Sequence, residues 1–239
     1  LDKKIKFIAV QNASRHDLLE LYKLYKKNKI KYNLLEKFYI PNFYCFGNYE
    51  KDLYKKFNIN AKNIYPIGDL KLANYLDSVK EKKNNIDKHN FDICLVTHIS
   101  VAKEHLYNWM SVKKDLEDIE KFKNIKKGLI DIIKYTIKFC QKNSMKLVVL
   151  SKRDKKFSSL GALREINFFK DNLSKEDFNF LQKNLLEKDT DNFSSLKAIS
   201  TSKITVGICS TLLKNNLVIN NKTFSSNLTK DKNYNFPIQ

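Results

Sequence analysis

Short apolar runs that are rich in β-branched residues recur along the chain, separated by long stretches of helical periodicity. The runs predict strands at residues 5–10, 43–46, 64–67, 91–96, 145–150, 204–208 and 217–219. The periodic stretches at 112–143 and 160–186 predict helices between strands. Strands that are apolar throughout are typical of parallel sheets, because helices cover both faces of such sheets. The pattern therefore predicts an α/β fold with parallel sheets and right-handed crossovers.

One segment, residues 80–90 (KEKKNNIDKHN), has the composition of an exposed linker. We expect a domain boundary there, with an incomplete α/β domain over 1–79 and a fuller one over 91–239. Residues 220–239 are polar and have no pattern, as if a final helix were missing or altered. We interpret the chain as a fragment of a two-domain protein, with the second domain truncated.

The net charge of the 239 residues is +19, from 45 Lys and Arg against 26 Asp and Glu. Only Arg15, Arg153 and Arg164 are arginines, so 42 of the 45 basic residues are lysines. Proteins that recognise phosphates or bases favour the bidentate fork of Arg, and we therefore expect no nucleic-acid partner. The same lysines are compatible with peripheral contact with an anionic membrane surface. No run of about 18 apolar residues exists, which excludes a membrane-spanning helix.

Several common kinds of site are excluded by spacing. The four cysteines form no CxxC pair, and three of them lie in apolar stretches, which predicts reduced core thiols in a cytosolic protein. The histidines have neither HxxxH nor HExxH spacing, so we expect no metal site. With five glycines there is no GxGxxG, no P-loop and no GxSxG elbow.

The strongest local signal is the segment 206–213 (VGICSTLL), in which a buried strand runs into Ser210 and Thr211. A helix that begins there would present backbone N–H groups and the positive end of its dipole, which together form a natural phosphate site. The two hydroxyls could also donate to phosphate oxygens. The alternative is that Ser210 is only the N-cap of a helix at the end of a core strand.

A second signal follows the strand predicted at 145–150, where Ser151, Lys152 and Arg153 precede a helix with Glu165. Ligands of open parallel sheets bind beyond the carboxyl ends of the strands, where Arg153 could neutralise a phosphate. Glu165 could accept hydrogen bonds from a ribose or a base. The alternative is a solvated turn followed by an exposed helix charge.

A third group of polar residues, 11–17 (QNASRHD), directly follows the first predicted strand. His16 or Asp17 could act as a general base toward an acceptor hydroxyl, and Asn12 and Arg15 could bind substrate. The alternative is that Ser14 or Asp17 simply begins a helix over 18–25. His98, at the end of the strand predicted at 91–96, is a further candidate, although a single His there is more often a loop residue.

Five segments in order resemble one family: 8–15 (IAVQNASR), 42–49 (NFYCFGNY), 64–71 (IYPIGDLK), 151–153 with Glu165, and 206–212 (VGICSTL). The succession resembles bacterial surface-carbohydrate (capsule and lipopolysaccharide) biosynthesis proteins with a GT-B-like glycosyltransferase fold. These are distantly similar to Kdo and polyglycerol-phosphate transferases. The similarity covers most of the chain, and the order of the motifs is more specific than any one of them.

The resemblance implies two Rossmann-like domains: the end of an acceptor-side domain over 1–79, and a nucleotide-donor domain over 91–239. Residues on the donor side would be Ser151, Lys152, Arg153, Glu165, Ser210 and Thr211, whereas Asn12, Arg15 and His98 would face the cleft. The partners implied are a nucleotide-activated sugar or polyol donor and a glycan or glycolipid acceptor. The activity implied is metal-independent transfer without a cofactor, in the cytoplasm or at the inner face of the inner membrane.

Two departures from the family pattern favour an alternative function. A Glu usually follows the Ser-Thr-Leu segment, whereas this chain has Lys214, Asn215 and Asn216. The first domain also lacks its first half. The alternative is a non-catalytic binding or scaffold protein, or an inactive fragment, that docks on anionic surfaces through its lysines.

Overall fold

The computed structural model describes residues 8–11, 39–56, 59–81, 90–97, 116–151, 159–187 and 193–230. The chain divides into two compact units, Leu1–Lys82 and Lys83–Gln239. Within the described residues every strand pairing is parallel, in one sheet of three strands and one of four. The predicted α/β class with parallel sheets is therefore confirmed.

The first unit holds a three-stranded sheet in the order β1 (Ile8–Val10), β2 (Ile40–Cys45) and β3 (Ala61–Pro66). Helix α1 (Asn48–Lys56) connects β2 to β3, and α2 (Leu70–Glu81) follows β3. The ring of Phe43 on β2 packs edge-on against Tyr54 of α1, with ring centroids 4.9 Å apart. Helix α2 extends to Glu81, so the first two residues of the predicted linker, 80–90, are helical.

The second unit is built on a four-stranded sheet in the order β5-β4-β6-β7. Its strands are β4 (Phe91–Val96), β5 (Leu147–Leu150), β6 (Ser202–Gly207) and β7 (Lys222–Ser225). The chain runs from β4 to β5 on one side and then to β6 on the other side of β4. This is the doubly wound order of flavodoxin-like sheets.

The helices of the second unit are α3 (Leu116–Lys142), α4 (Ser159–Asn172), α5 (Lys175–Lys183), α6 (Ser194–Ser200) and α7 (Thr211–Val218). The periodic stretch 160–186 is therefore two helices rather than one. The break occurs at Ser174, whose side chain accepts the N–H of Asp177 and begins α5. In the part of the chain described, no helix is both long and apolar enough to cross a membrane.

Both faces of the central strands are buried. Residues of one face, such as Leu95 and Val149, belong to a core that α3 completes with Ile133 and Ile137. Residues of the other face, such as Cys94, are buried as well. Three cysteines are core thiols, as predicted: Cys45, Cys94 and Cys140. Burial raises the pKa of Cys94 and raises that of Cys140 to about 11, with a smaller contribution from the charge of Asp92.

Two predictions for the end of the chain are wrong. Residues 217–219 do not form a strand, since they lie at the end of α7 and in the turn that follows it. The polar stretch from Asn220 instead contains the last strand, β7. Asn216 of α7 fixes β7 by donating to the Lys222 carbonyl and the Thr223 hydroxyl, both at 2.9 Å. An edge strand held through amide hydrogen bonds needs no apolar run, which is why the pattern did not indicate it.

Beyond β7 the chain crosses α3 in close contact at Gly128. A Cβ atom at Gly128 would lie 2.5 Å from the carbonyl carbon and oxygen of Leu228 and 2.6 Å from the Thr229 nitrogen. Thr229 is itself buried, and its hydroxyl donates to Asn227 Oδ1 at 2.6 Å. The absence of a side chain at residue 128 therefore allows Leu228 and Thr229 to pack on α3.

Gly128→Ala tests this crossing. In the middle of an ordinary helix, replacing Gly by Ala stabilises by about 1 kcal/mol. Here we expect a loss of about 1–3 kcal/mol in the free energy of unfolding, because the new methyl group overlaps backbone atoms. Urea unfolding measures the change, with Gln141→Ala on the exposed face of α3 as a control that changes stability by less than about 0.5 kcal/mol. A stabilised Gly128→Ala variant would contradict the close crossing.

Candidate functional site

The carboxyl ends of all four strands of the second unit lie at one edge of the sheet. From β4 the chain continues to β5, its neighbour in one direction along the sheet. From β6 it continues to β7, in the opposite direction. Loops that diverge in this way leave a crevice between the two strand ends, where open α/β sheets bind ligands. The topology therefore places the candidate site at the ends of β4 and β6, with β5 next along the edge.

Helix α7 begins directly at this edge, and Gly207 allows its close approach. A Cβ atom at Gly207 would lie 3.2 Å from Leu213 Cδ1 of α7 and 3.2 Å from the Val96 carbonyl oxygen at the end of β4. These distances are tighter than ordinary van der Waals contact. The small residue thus brings the first turn of α7 close to the junction of β4 and β6.

Ser210 is the N-cap of α7, as its alternative interpretation predicted. Its backbone is extended, and its Oγ accepts the Leu212 N–H at 3.3 Å while its carbonyl accepts the Leu213 N–H at 3.1 Å. In the described part of the protein no acceptor takes the proton of the Ser210 hydroxyl. A hydroxyl that both caps a helix and keeps a proton can donate to an anion at the helix start. Capping and phosphate binding are therefore compatible at this residue.

Glu165 of α4 is 2% exposed and reaches the ends of two strands. The hydroxyl of Thr97, which follows β4, lies 2.9 Å from Glu165 Oε1 and 3.0 Å from the carbonyl oxygen of Leu150 at the end of β5. The Thr97 N–H also donates to that carbonyl, at 3.0 Å. The alternative of a solvated helix charge is therefore wrong for Glu165. The carboxyl group instead links α4 to the edge that holds the crevice.

The predicted donor-side residues that the structure describes share this edge. Ser151 follows β5, Glu165 contacts Thr97 at the end of β4, and Ser210 and Thr211 follow β6. Two strand spacings separate the ends of β5 and β6, a distance of about 10 Å. That span matches the phosphate and ribose groups of a nucleotide. The other predicted site residues lie outside the described residues: Asn12, Arg15, His16, Asp17, His98, Lys152 and Arg153.

At the opposite edge of the sheet, an acidic side chain is paired with a lysine of the neighbouring strand. Asp92 Oδ1 at the start of β4 lies 2.6 Å from Lys203 Nζ of β6, and Asp92 Oδ2 accepts the Lys146 N–H at 2.8 Å. These contacts lower the pKa of Asp92, the Lys203 hydrogen bond most strongly and the Lys146 N–H next. Because the Asp92 carboxylate is already paired, it is a weaker candidate for contacting a ligand than the groups at the carboxyl ends of the strands.

Comparison with models of known protein families finds no match, and no curated protein matches the sequence. Among the described residues, no group of three or more His, Cys, Asp or Glu side chains is arranged to hold a metal ion.

The sequence analysis missed two residues at this edge. Thr97 carries the same signal as its neighbour His98, a polar residue after a buried strand, although only His98 is among the predicted site residues. Gly207 lies within the segment 206–213, and its lack of a side chain leaves room for Leu213 of α7. The partnership of Thr97 with Glu165 had no signal, because 68 residues separate them in the chain.

Thr97→Val tests the link between α4 and the sheet edge. The variant keeps the shape of the side chain but removes one donor from the buried Glu165 carboxyl group. We expect a loss of about 1–3 kcal/mol in the free energy of unfolding, measured by urea titration. Thr136→Val is the matched control, since that buried hydroxyl only donates to Ile132 of its own helix, at 2.7 Å. Equal losses in the two variants would show that Thr97 has no special partner.

Proposed function

We propose that the second unit binds the phosphate groups of a nucleotide-activated donor in the crevice between the ends of β4 and β6. The observation that supports this proposal is the Ser210 N-cap, whose hydroxyl keeps a proton at the edge where doubly wound sheets bind ligands. Thr211 begins the same helix and adds a second hydroxyl. Lys152 and Arg153 follow β5 in sequence and would supply positive charge from the same edge.

The proposed reaction is transfer of a glycosyl or polyol-phosphate group to a growing surface polysaccharide or glycolipid. Asp17 or His16 would take the proton of the acceptor hydroxyl as its oxygen bonds to the transferred group. The bond from that group to the donor's phosphate oxygen breaks, and the nucleotide leaves with the electron pair. Lys152, Arg153 and the start of α7 would stabilise the negative charge on the leaving phosphate. The resemblance to GT-B-like carbohydrate biosynthesis proteins supports this reaction class.

A second function, nucleotide binding without transfer, is favoured by Asn216. The resemblance calls for a Glu a few residues after the Ser-Thr-Leu segment, and Asn216 lies in that region of α7 with its side chain bonded to β7. Because the Asn216 amide is bonded to β7, it cannot replace a carboxylate that would act on the substrate. The two functions differ in turnover: only the transferase releases free nucleotide from a nucleotide-activated donor when acceptor is present.

Calorimetry with CMP, CDP, UDP and GDP tests the proposed donor site. We expect at least one nucleotide to bind, with Ser210→Asp lowering its affinity at least about tenfold through repulsion of the phosphate. Asp is as good an N-cap as Ser, so α7 should remain intact. Arg153→Ala should weaken binding by about 1.5–3 kcal/mol, the range for a charge-assisted hydrogen bond.

Ser174→Asp is the control for this experiment, because Ser174 caps α5 in the same way. It should leave the nucleotide affinity unchanged. Failure of all four nucleotides to bind would refute the donor site. An unchanged affinity in Ser210→Asp would show that Ser210 only caps α7 and does not contact the phosphate.

A further inference from the structure

The outward face of α3 combines exposed aromatic rings with a row of lysines. Tyr135 and Phe139 are 65% and 51% exposed and lie one helical turn apart. Lys134, Lys138 and Lys142 follow the same spacing on the adjacent row. We call these five residues the α3 outer face. Its aromatic and basic rows run side by side along the second half of the helix.

The positive charge of the α3 outer face has no acidic partner among the described residues. In the part of the chain that the structure describes, no acidic side chain pairs with any of its three lysines. Two other lysines of α3 do have partners: Lys127 pairs with Asp131 at 2.8 Å, and Lys126 lies over the Phe168 ring at 5.4 Å from its centroid. The three lysines of the α3 outer face thus form a row of positive charge along the second half of the helix without an acidic partner among the described residues.

The α3 outer face costs stability in isolation. Like charges four residues apart destabilise a helix by a few tenths of a kcal/mol per pair, and this face has two such pairs in succession. Exposed aromatic rings contribute nothing to the core. Partners that suit both features are anionic and present an apolar layer beneath the charge.

We propose that the α3 outer face docks on an anionic lipid bilayer. Lysines are attracted by anionic headgroups, and Tyr and Phe rings enter the boundary between headgroups and acyl chains. Nucleic acid is the less suitable partner, because the face contains no Arg to form bidentate contacts with phosphates or bases. This inference locates the membrane contact suggested by the lysine excess, and it does not depend on the proposed transfer reaction.

Vesicle co-sedimentation tests the docking surface with the full chain. The vesicles contain equal parts of phosphatidylglycerol and phosphatidylcholine, and pure phosphatidylcholine vesicles serve as the neutral comparison. We expect binding to the anionic vesicles alone. The triple variant Lys134→Gln, Lys138→Gln, Lys142→Gln should lower the partition coefficient by about tenfold to a hundredfold. Lys138 and Lys142 are exposed and Lys134 is half-buried, and urea unfolding verifies that the fold is kept.

A triple variant with the same change of charge is the matched control: Lys170→Gln, Lys175→Gln, Lys183→Gln, at exposed positions of α4 and α5. It should bind the anionic vesicles severalfold more tightly than the α3 variant does. Equal losses in the two variants would overturn the proposal, as would equal binding to neutral vesicles or no binding at all. Binding to single-stranded DNA that depends on the α3 lysines, without binding to vesicles, would also overturn it.

The aromatic rings have a separate test. Tyr135→Ser with Phe139→Ser keeps every charge of the face. We expect this double variant to dissociate from anionic vesicles at lower salt than the wild type, because lysines alone hold it and salt screens them. An unchanged salt dependence would overturn insertion of the rings.

Discussion

Parallel strands cannot be joined by tight turns, so each strand of the second unit must be followed by a crossover that returns the chain to the starting edge. All carboxyl ends consequently meet at the other edge. In the order β5-β4-β6-β7, the chain continues from β4 in one direction along the sheet and from β6 in the other. The crevice opens between these two strands. The position of the candidate site is therefore a consequence of strand order, before any particular side chain is considered.

Buried polar side chains then hold the elements around that edge. Thr97 and Glu165 link α4 to the ends of β4 and β5, while Asn216 links α7 to β7. Asn221 donates to the carbonyls of Ile199 and Ser202 and so connects α6 and β6 to the start of β7. Each of these contacts joins segments that an apolar core alone would hold with less specific geometry. The two glycines act in the complementary way: Gly128 lets the backbone of Leu228 and Thr229 approach α3, and Gly207 leaves room for the Leu213 side chain of α7.

Much of the sheet could be predicted because buried parallel strands are apolar throughout. The run at 91–96 has the same bounds as β4, and the run at 204–208 overlaps most of β6. The edge strand β7 could not be found in this way, since water reaches alternate residues and Asn216 holds it. The break at Ser174 did have a signal, a capping residue followed by Glu176 and Asp177. Ser210 was predictable because strand and helix meet within a few residues, whereas the Thr97–Glu165 contact depends on tertiary structure.

The central claim is that the edge formed by the ends of β4 and β6 binds the phosphates of a nucleotide. Amide ¹H–¹⁵N shifts of the isotope-labelled chain, recorded while the nucleotide that binds is added, test this claim most directly. The account predicts that the largest changes occur at Thr97, Ser151 and the first turn of α7 from Thr211 to Leu213. Changes concentrated at the amino ends of the strands, around Asp92 and Lys203, would contradict it.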